Sequence, residues 1–242
     1  MKIIRFKNLD SLSKWSADVI ADMATKCIKS KGYFTISLCG GSSPRKLFAM
    51  LVDKKIEWNN VHIFWGDERF VDINDDNSNY RMINDILLSK IDIPKKNIYM
   101  IPTNESTPEK ASLKYEKTII DFFTTHQHLN LDRIPIFDLI ILGVGNDGHT
   151  ASLFPNTSEL EEKEKLIVHT KSPKYAVVDD RISFTFKLIN AADNIFLLLS
   201  GSDKKKIADQ FLNKYSEKKF PIHYIDRSDK MQVLLNIFSL PA

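Results

Sequence analysis

The chain has 242 residues, 43% hydrophobic and 27% charged, which suits one α/β domain with a sizeable core. Its 34 basic residues nearly balance 31 acidic ones, so no basic excess marks a nucleic-acid face. Cys27 and Cys39 are too few for a disulfide framework and are expected as buried free thiols. The opening MKIIRFKNLD lacks a secretory apolar region, and no stretch reaches the ~20 apolar residues of a membrane span. A reducing cytoplasm is the expected location.

In chain order, IIRF (3–6) reads as a short strand. In the following 11–31, Leu12, Trp15, Val19, Ile20, Met23 and Cys27 recur at helical spacing, with Gly32 as C-cap. YFTISLC is an apolar run of buried-strand length. The turn CGGSSP then leads, with Ser43 as N-cap and Pro44 at the first helical position, into RKLFAMLVD. VHIFWGDE is the next strand, FVDINDDNSN a polar loop and YRMINDILLSK a helix. A short strand lies near Ile98–Ile101, and Thr107 and Pro108 open a long amphipathic helix.

FDLIILG is a fully apolar strand, and LIVHT, RISFTF, NIFLLLS and IHYI read as further strands. A helix over 202–215 with Ser202 as N-cap separates the last two. Alternating strands and helices, several strands being apolar on both faces, predict an α/β fold: a mainly parallel sheet with helices on both faces, Rossmann-like. With no linker or repeat, residues 1–242 are expected to form a single domain.

The stretch GVGNDGHTASLFPN (143–156) contains G-x-G-x-x-G, but Pro155 stops any following helix and LIVHT, about twenty residues on, offers no carboxylate for a ribose. The alternative is an acid–base site in which Asp147 orients His149, since an imidazole of ordinary pKa can accept a proton at neutral pH. Spacing alone leaves open that Asp147 braces a turn and His149 caps a backbone group. In CGGSSPRKLF, Gly40, Gly41, Ser42 and Ser43 present amides and hydroxyls suited to an anion, though a plain tight turn uses the same residues; the Walker A spacing is missing. WGDERF places Asp67, Glu68 and Arg69 at a strand exit, on the same sheet edge as the glycine loops. DINDDNSN lacks the EF-hand pattern, and no His/Cys cluster has zinc-ligand spacing, so no metal or cofactor is called for. Lys204–Lys206 reads by itself as a solvated helix start.

Taken together, GGSSP, WGDERFV followed by SN, DLIILGVGNDGHTASLFP, RISFTF and GSDK resemble the 6-phosphogluconolactonase family, in order over about residues 33–210. That family shares a superfamily with glucosamine-6-phosphate isomerase/deaminase. In the deaminases a Glu follows the D-G-H turn where this chain has Phe154, and a Tyr stands where it has Arg69. Asn146 replaces a Pro frequent in lactonases.

The resemblance implies hydrolysis of 6-phospho-D-glucono-1,5-lactone without a metal or other cofactor. His149 would activate water, Asp147 would orient the site, and Arg69 or, alternatively, loop N–H groups would stabilise the oxyanion. Substrate binding would fall to Gly40, Gly41, Ser42, Ser43, Asp67, Arg181 and Lys204. The implied partner is a small phosphorylated lactone, with no nucleic acid and no membrane. Ser152 lacks the G-x-S-x-G elbow of a serine nucleophile. The competing expectations are an amino-sugar-phosphate isomerase/deaminase and a non-catalytic sugar-phosphate sensor. The sensor fits less well, because only about thirty residues precede the phosphate loop.

Overall fold

The computed structural model describes residues 1–173, 176–213 and 220–236. Among the described residues, ten strands and six α-helices follow one another as β1 (Lys2–Arg5), α1 (Leu9–Lys31), β2 (Phe34–Leu38), α2 (Arg45–Leu51), β3 (Val61–Trp65), β4 (Asp67–Arg69), α3 (Asn79–Ile86) and β5 (Ile98–Tyr99). Then come α4 (Pro108–Thr125), β6 (Leu139–Gly143), β7 (Ile167–Lys171), β8 (Asp180–Phe184), α5 (Phe186–Ala191), β9 (Ile195–Ser200), α6 (Lys205–Asn213) and β10 (Met231–Asn236). Seven strands form a parallel sheet in the order β1-β10-β9-β6-β2-β3-β5. The other three, β4-β8-β7, form a small antiparallel sheet that the sequence pattern did not announce.

Local chemistry sets the helix ends. Asn8 caps α1 by accepting from the Ser11 amide at 2.8 Å, and Gly32, at φ +88, closes it by donating to the Ile28 carbonyl. Thr107 caps α4 as expected, accepting from Lys110 N, with Pro108 at its first position.

The period of two along β3 buries both faces of the large sheet. Val61 and Ile63 line a small apolar pocket together with Ile20 and Ala24 of α1 on one side. Phe64 meets Phe122 and Phe123 of α4 on the other, at ring centroids 5.3 and 6.0 Å apart. The expected α/β architecture, with helices on both faces of a mainly parallel sheet, is what forms. Among the described residues no helix is long and apolar enough to cross a membrane.

Four expectations are corrected. IHYI is not a strand: Pro221–Tyr224 form a 3-10 turn, and the strand after α6 is β10, MQVLLN, inserted between β1 and β9. Pro221 has no amide to give a ladder, and Phe220 N instead donates to His223 Nδ1 at 3.1 Å. Ser43 is not the cap of α2; the cap position falls to Pro44 and no side chain bonds there. Ser202 opens a 3-10 turn, Ser202–Lys204, and α6 starts only at Lys205; residues 214–215 of that expected helix lie outside the described residues. Both cysteines are free thiols, but only Cys39 is buried and Cys27 is half-buried.

Glu68 departs from the cluster expected at the strand exit. It is buried and accepts three backbone N–H bonds, from Arg69, Asn79 and Tyr80 at 2.7 Å each, plus the Ser78 hydroxyl at 3.3 Å, so it fastens α3 to β4. Burial pushes its carboxyl up to about 7 against the pull of those amides. Glu68→Ala orphans all four donors and is expected to cost about 2–4 kcal/mol of stability. The folded carboxyl holds its proton more tightly than the unfolded one, so this group's contribution falls as the pH rises from 4.5 through about 7. Urea unfolding of both proteins at pH 5 and pH 8 should therefore show the smaller loss at pH 8. A larger loss at pH 8 would mean that the amides hold Glu68 ionised.

Candidate active site

The order of the large sheet reverses between β2 and β6, and open α/β sheets bind ligands outside the carboxyl ends of strands at such a point. A cavity of about 280 Å³ lies there, walled by the loops after β2 and β6, by the small sheet and by Lys204 after β9.

The turn after β6 answers the glycine question. No helix follows it; the chain runs through turns to a 3-10 segment at Ser158–Glu161. Gly145 N donates to the His149 carbonyl at 2.8 Å and Gly148 N to Gly145 at 3.1 Å, which closes the turn on itself. A Cβ at Gly145 would lie 2.1 Å from His149 Nδ1, so the glycine is required by the imidazole that fills its place. Asp147 Oδ1 accepts from the His149 amide at 3.0 Å and sits 2.6 Å from Nδ1. That pairing commits Nδ1 to the carboxylate and leaves Nε2 as the nitrogen for a ligand. Phe154 lies against the ring, centroids 4.8 Å apart.

The loop after β2 brings Gly40–Ser43 to the same cavity. Gly41 is left-handed at φ +92. A Cβ at Gly40 would collide with Asn79 Oδ1 at 1.9 Å. Asn79 also donates to the Asp67 carbonyl at 3.0 Å, so it wedges this glycine loop against β4.

The small sheet supplies the charges. Arg69 and Arg181 are direct cross-strand partners and both line the cavity. Neither forms a salt bridge among the described residues. Arg69 donates from Nη1 to the Asn77 carbonyl, and Arg181 from Nε to the Val178 carbonyl at 3.0 Å. Burial, and then the like charge of Arg69, pulls the Arg181 guanidinium below its usual range. Two cations lining one space, neither in a salt bridge among the described residues, are suited to an anionic ligand. Lys204 lines the same cavity, its ammonium bonded to Asn146 Oδ1 and 3.4 Å from Asp203. Asp67 is buried there with Oδ2 accepting from Ser152 Oγ at 2.7 Å.

All ten residues singled out in the sequence line this cavity or, for Asp147, bond to a residue that does. Asn79 and Ser152 were missed as contributors. Both were in view, within "SN" and HTASLFP, but their partners lie 12 and 85 residues away. A metal-type grouping also forms elsewhere: ligand atoms of His128, Asp138 and Asp193 fall within 4.8 Å of one another. There the Lys31 ammonium serves as the cation, 2.7 Å from Asp138 Oδ1 and 3.4 Å from both His128 nitrogens.

Comparison with known proteins agrees with this geometry. Residues 7–234 match the family model of glucosamine-6-phosphate isomerases/6-phosphogluconolactonase. A 6-phosphogluconolactonase of Nostoc sp. is 35% identical over 222 residues, covering 91% of this chain and 89% of its own. The crystal structure of 6-phosphogluconolactonase from Thermotoga maritima superposes with a TM-score of 0.82 at 28% identity, over 96% of this chain and 97% of that one. A monomeric glucosamine-6-phosphate deaminase also reaches 0.82, over 97% and 96%, but at 19% identity, which is a likeness of fold alone. The chain belongs to the glucosamine-6-phosphate isomerase/6-phosphogluconolactonase family.

Proposed function

We propose that the chain, as a single sugar-phosphate domain over 1–242, hydrolyses 6-phospho-D-glucono-1,5-lactone to 6-phospho-D-gluconate, a step of the pentose phosphate pathway. The observation that carries this reading is the Asp147–His149 pair, at 2.6 Å, in one cavity with two arginines that form no salt bridge among the described residues. The relatives' lactonase names support the choice of substrate. The two free thiols support a reducing compartment, and we place the reaction in the cytoplasm.

In this mechanism the phosphate rests on the Gly40–Ser43 loop with Arg181 and Lys204 as its cations. Anchoring at a point remote from the carbonyl is where binding energy can orient the reacting centre. His149 Nε2 takes a proton from water as the oxygen attacks the lactone carbonyl. Asp147 holds the tautomer and stabilises the imidazolium. Negative charge develops on the carbonyl oxygen, where Arg69 or loop N–H groups would stabilise it. Collapse of the tetrahedral intermediate breaks the ring C–O bond, and His149 returns the proton to the departing ring oxygen. No step requires a metal.

Phe154 supports the lactonase over the isomerase/deaminase. Sugar ring opening and enolisation call for a second proton carrier beside the His, and the side chain packed on this imidazole carries none.

His149→Ala is expected to lower kcat by roughly 10²–10⁴-fold while 6-phosphogluconate, as a product inhibitor, binds within a few-fold of wild type. Hydrolysis of fresh lactone, corrected for the spontaneous rate and run with a chelator, reads this directly; unchanged turnover in the variant removes His149 from the chemistry. A wild-type protein inert on the lactone but active on glucosamine 6-phosphate would move the assignment to the deaminase.

Lys204→Ala is expected to raise KM about tenfold or more and leave kcat within a few-fold, as for a contact made equally in ground and transition states. A loss confined to kcat would place Lys204 at the carbonyl instead of the phosphate.

A further inference from the structure

The turn that carries His149 does more than present a base. Immediately after it, Thr150 Oγ1 donates to the Gly143 carbonyl at 2.9 Å, and Ala151 is held in the left-handed region at φ +47. A residue with a Cβ is strained there, and such strain persists only where surrounding contacts over-determine it. Those contacts belong to the next residue. Ser152 is buried; its amide donates to Ser183 Oγ at 3.1 Å, its carbonyl accepts from Thr170 Oγ1 at 2.8 Å and its hydroxyl donates to Asp67 Oδ2 at 2.7 Å. Ser183 and Thr170 sit on β8 and β7, and Asp67 is the cross-strand partner of Ser183. Ser152 thus ties the β6 turn to all three strands of the small sheet. It is also the one hydrogen-bond donor to the Asp67 carboxylate among the described residues.

The bond has a directional consequence. Asp67 is buried but lines the cavity, and with Oδ2 engaged by Ser152 its Oδ1 is the oxygen left for a ligand. An ionised carboxylate only accepts, so its fitting partner is a hydroxyl donor, and a polyhydroxylated ring is rich in those. We infer that Ser152 is a positioning residue: it fixes the rotamer of Asp67 so that Oδ1 accepts a hydrogen bond from a ring hydroxyl of the sugar-phosphate substrate. This deepens the lactonase reading and rests on it for the identity of that substrate. The same turn then sets both the base and the group that orients the ring relative to it. Because the fixed carboxylate serves orientation, its loss falls on kcat/KM for the intact sugar and not on the phosphate cradle.

The test is a double-mutant cycle over Ser152→Ala, Asp67→Asn and the pair. Each variant is measured for kcat/KM on 6-phosphogluconolactone, for Kd of 6-phosphogluconate and of inorganic phosphate by calorimetry, and for melting temperature. Ser152→Ala is expected to lower kcat/KM and 6-phosphogluconate affinity by roughly 10- to 100-fold, the range of a hydrogen bond to a charged group, with phosphate affinity within about twofold. The double variant should be no worse than Asp67→Asn, because Ser152 acts through Asp67. Losses that multiply in the double variant, or a Ser152→Ala protein with wild-type kcat/KM, overturn the inference. A merely structural serine would lower the melting temperature and phosphate affinity together. Should the wild type fail to hydrolyse the lactone, the lactonase reading falls, while the affinity arm of the cycle still decides whether Ser152 works through Asp67.

Discussion

Asp138 holds the large sheet together at one end so that it can open at the other. Buried at the start of β6, it accepts from Thr35 N and Oγ1 at the start of β2, both at 2.8 Å, and pairs with Lys31 at 2.7 Å. A buried carboxylate is tolerated only with such a complete set of donors, and removing one partner of a buried pair commonly costs about 3–5 kcal/mol. Above this clamp the β2–β6 ladder runs only through Ile36–Leu139 and Ser37–Ile140, whereas β6 stays paired with β9 as far as Gly143. Beyond Ser37 the two strands part company in hydrogen bonding, and the loops that follow them enclose the cavity.

The small sheet is the second element on which the site depends. Gly66 bridges the two sheets: its amide donates to Leu38 at 2.9 Å and its carbonyl accepts from Phe184 at 2.8 Å. One residue later the chain has left the parallel sheet for an antiparallel pairing that sets Arg69 against Arg181. Packing two guanidinium groups on neighbouring strands is by itself unfavourable, since like charges directly opposite destabilise a sheet. The arrangement holds because carbonyls of Asn77 and Val178 accept from them, and negative charge on a ligand in the cavity would offset the repulsion. Stability is here traded for a preformed charge pattern.

Local signals in the sequence carried the fold far. Gly32, Thr107 and Pro108 act through neighbours three or four residues away, and each sits where its chemistry predicts. The apolar runs of β2, β3, β6 and β9 were legible for the same reason. IHYI failed because its alternation mimics a strand, while its actual role is set by a distant contact. Ile222 N bonds the Gly148 carbonyl at 3.2 Å, and a Cβ at Gly148 would strike Phe220 at 2.6 Å. The small sheet was hidden because β4 and β8 are more than a hundred residues apart, and no period in either segment encodes that pairing. For the site, glycines and charged residues were readable by type. That Ser152 would reach Asp67, or Asn79 fill the space beside Gly40, depends on tertiary placement alone.

The family resemblance also clarifies what the fold can decide. The same sheet superposes equally well on a lactonase and on a deaminase, each at a TM-score of 0.82, so architecture is neutral between hydrolysis and isomerisation. The switch point of such a sheet is where a ligand binds in either case. What differs is the second proton. An acyl transfer needs one base that takes a proton from water and returns it to the leaving oxygen, the task proposed for His149 with Asp147. An aldose–ketose conversion must move protons at a second position, and that requires another titratable group within reach of the first. Phe154, buried and packed on His149, fills that place with a hydrocarbon ring. Within the cavity it is therefore a single apolar side chain, and not the fold, that separates the two proposed chemistries.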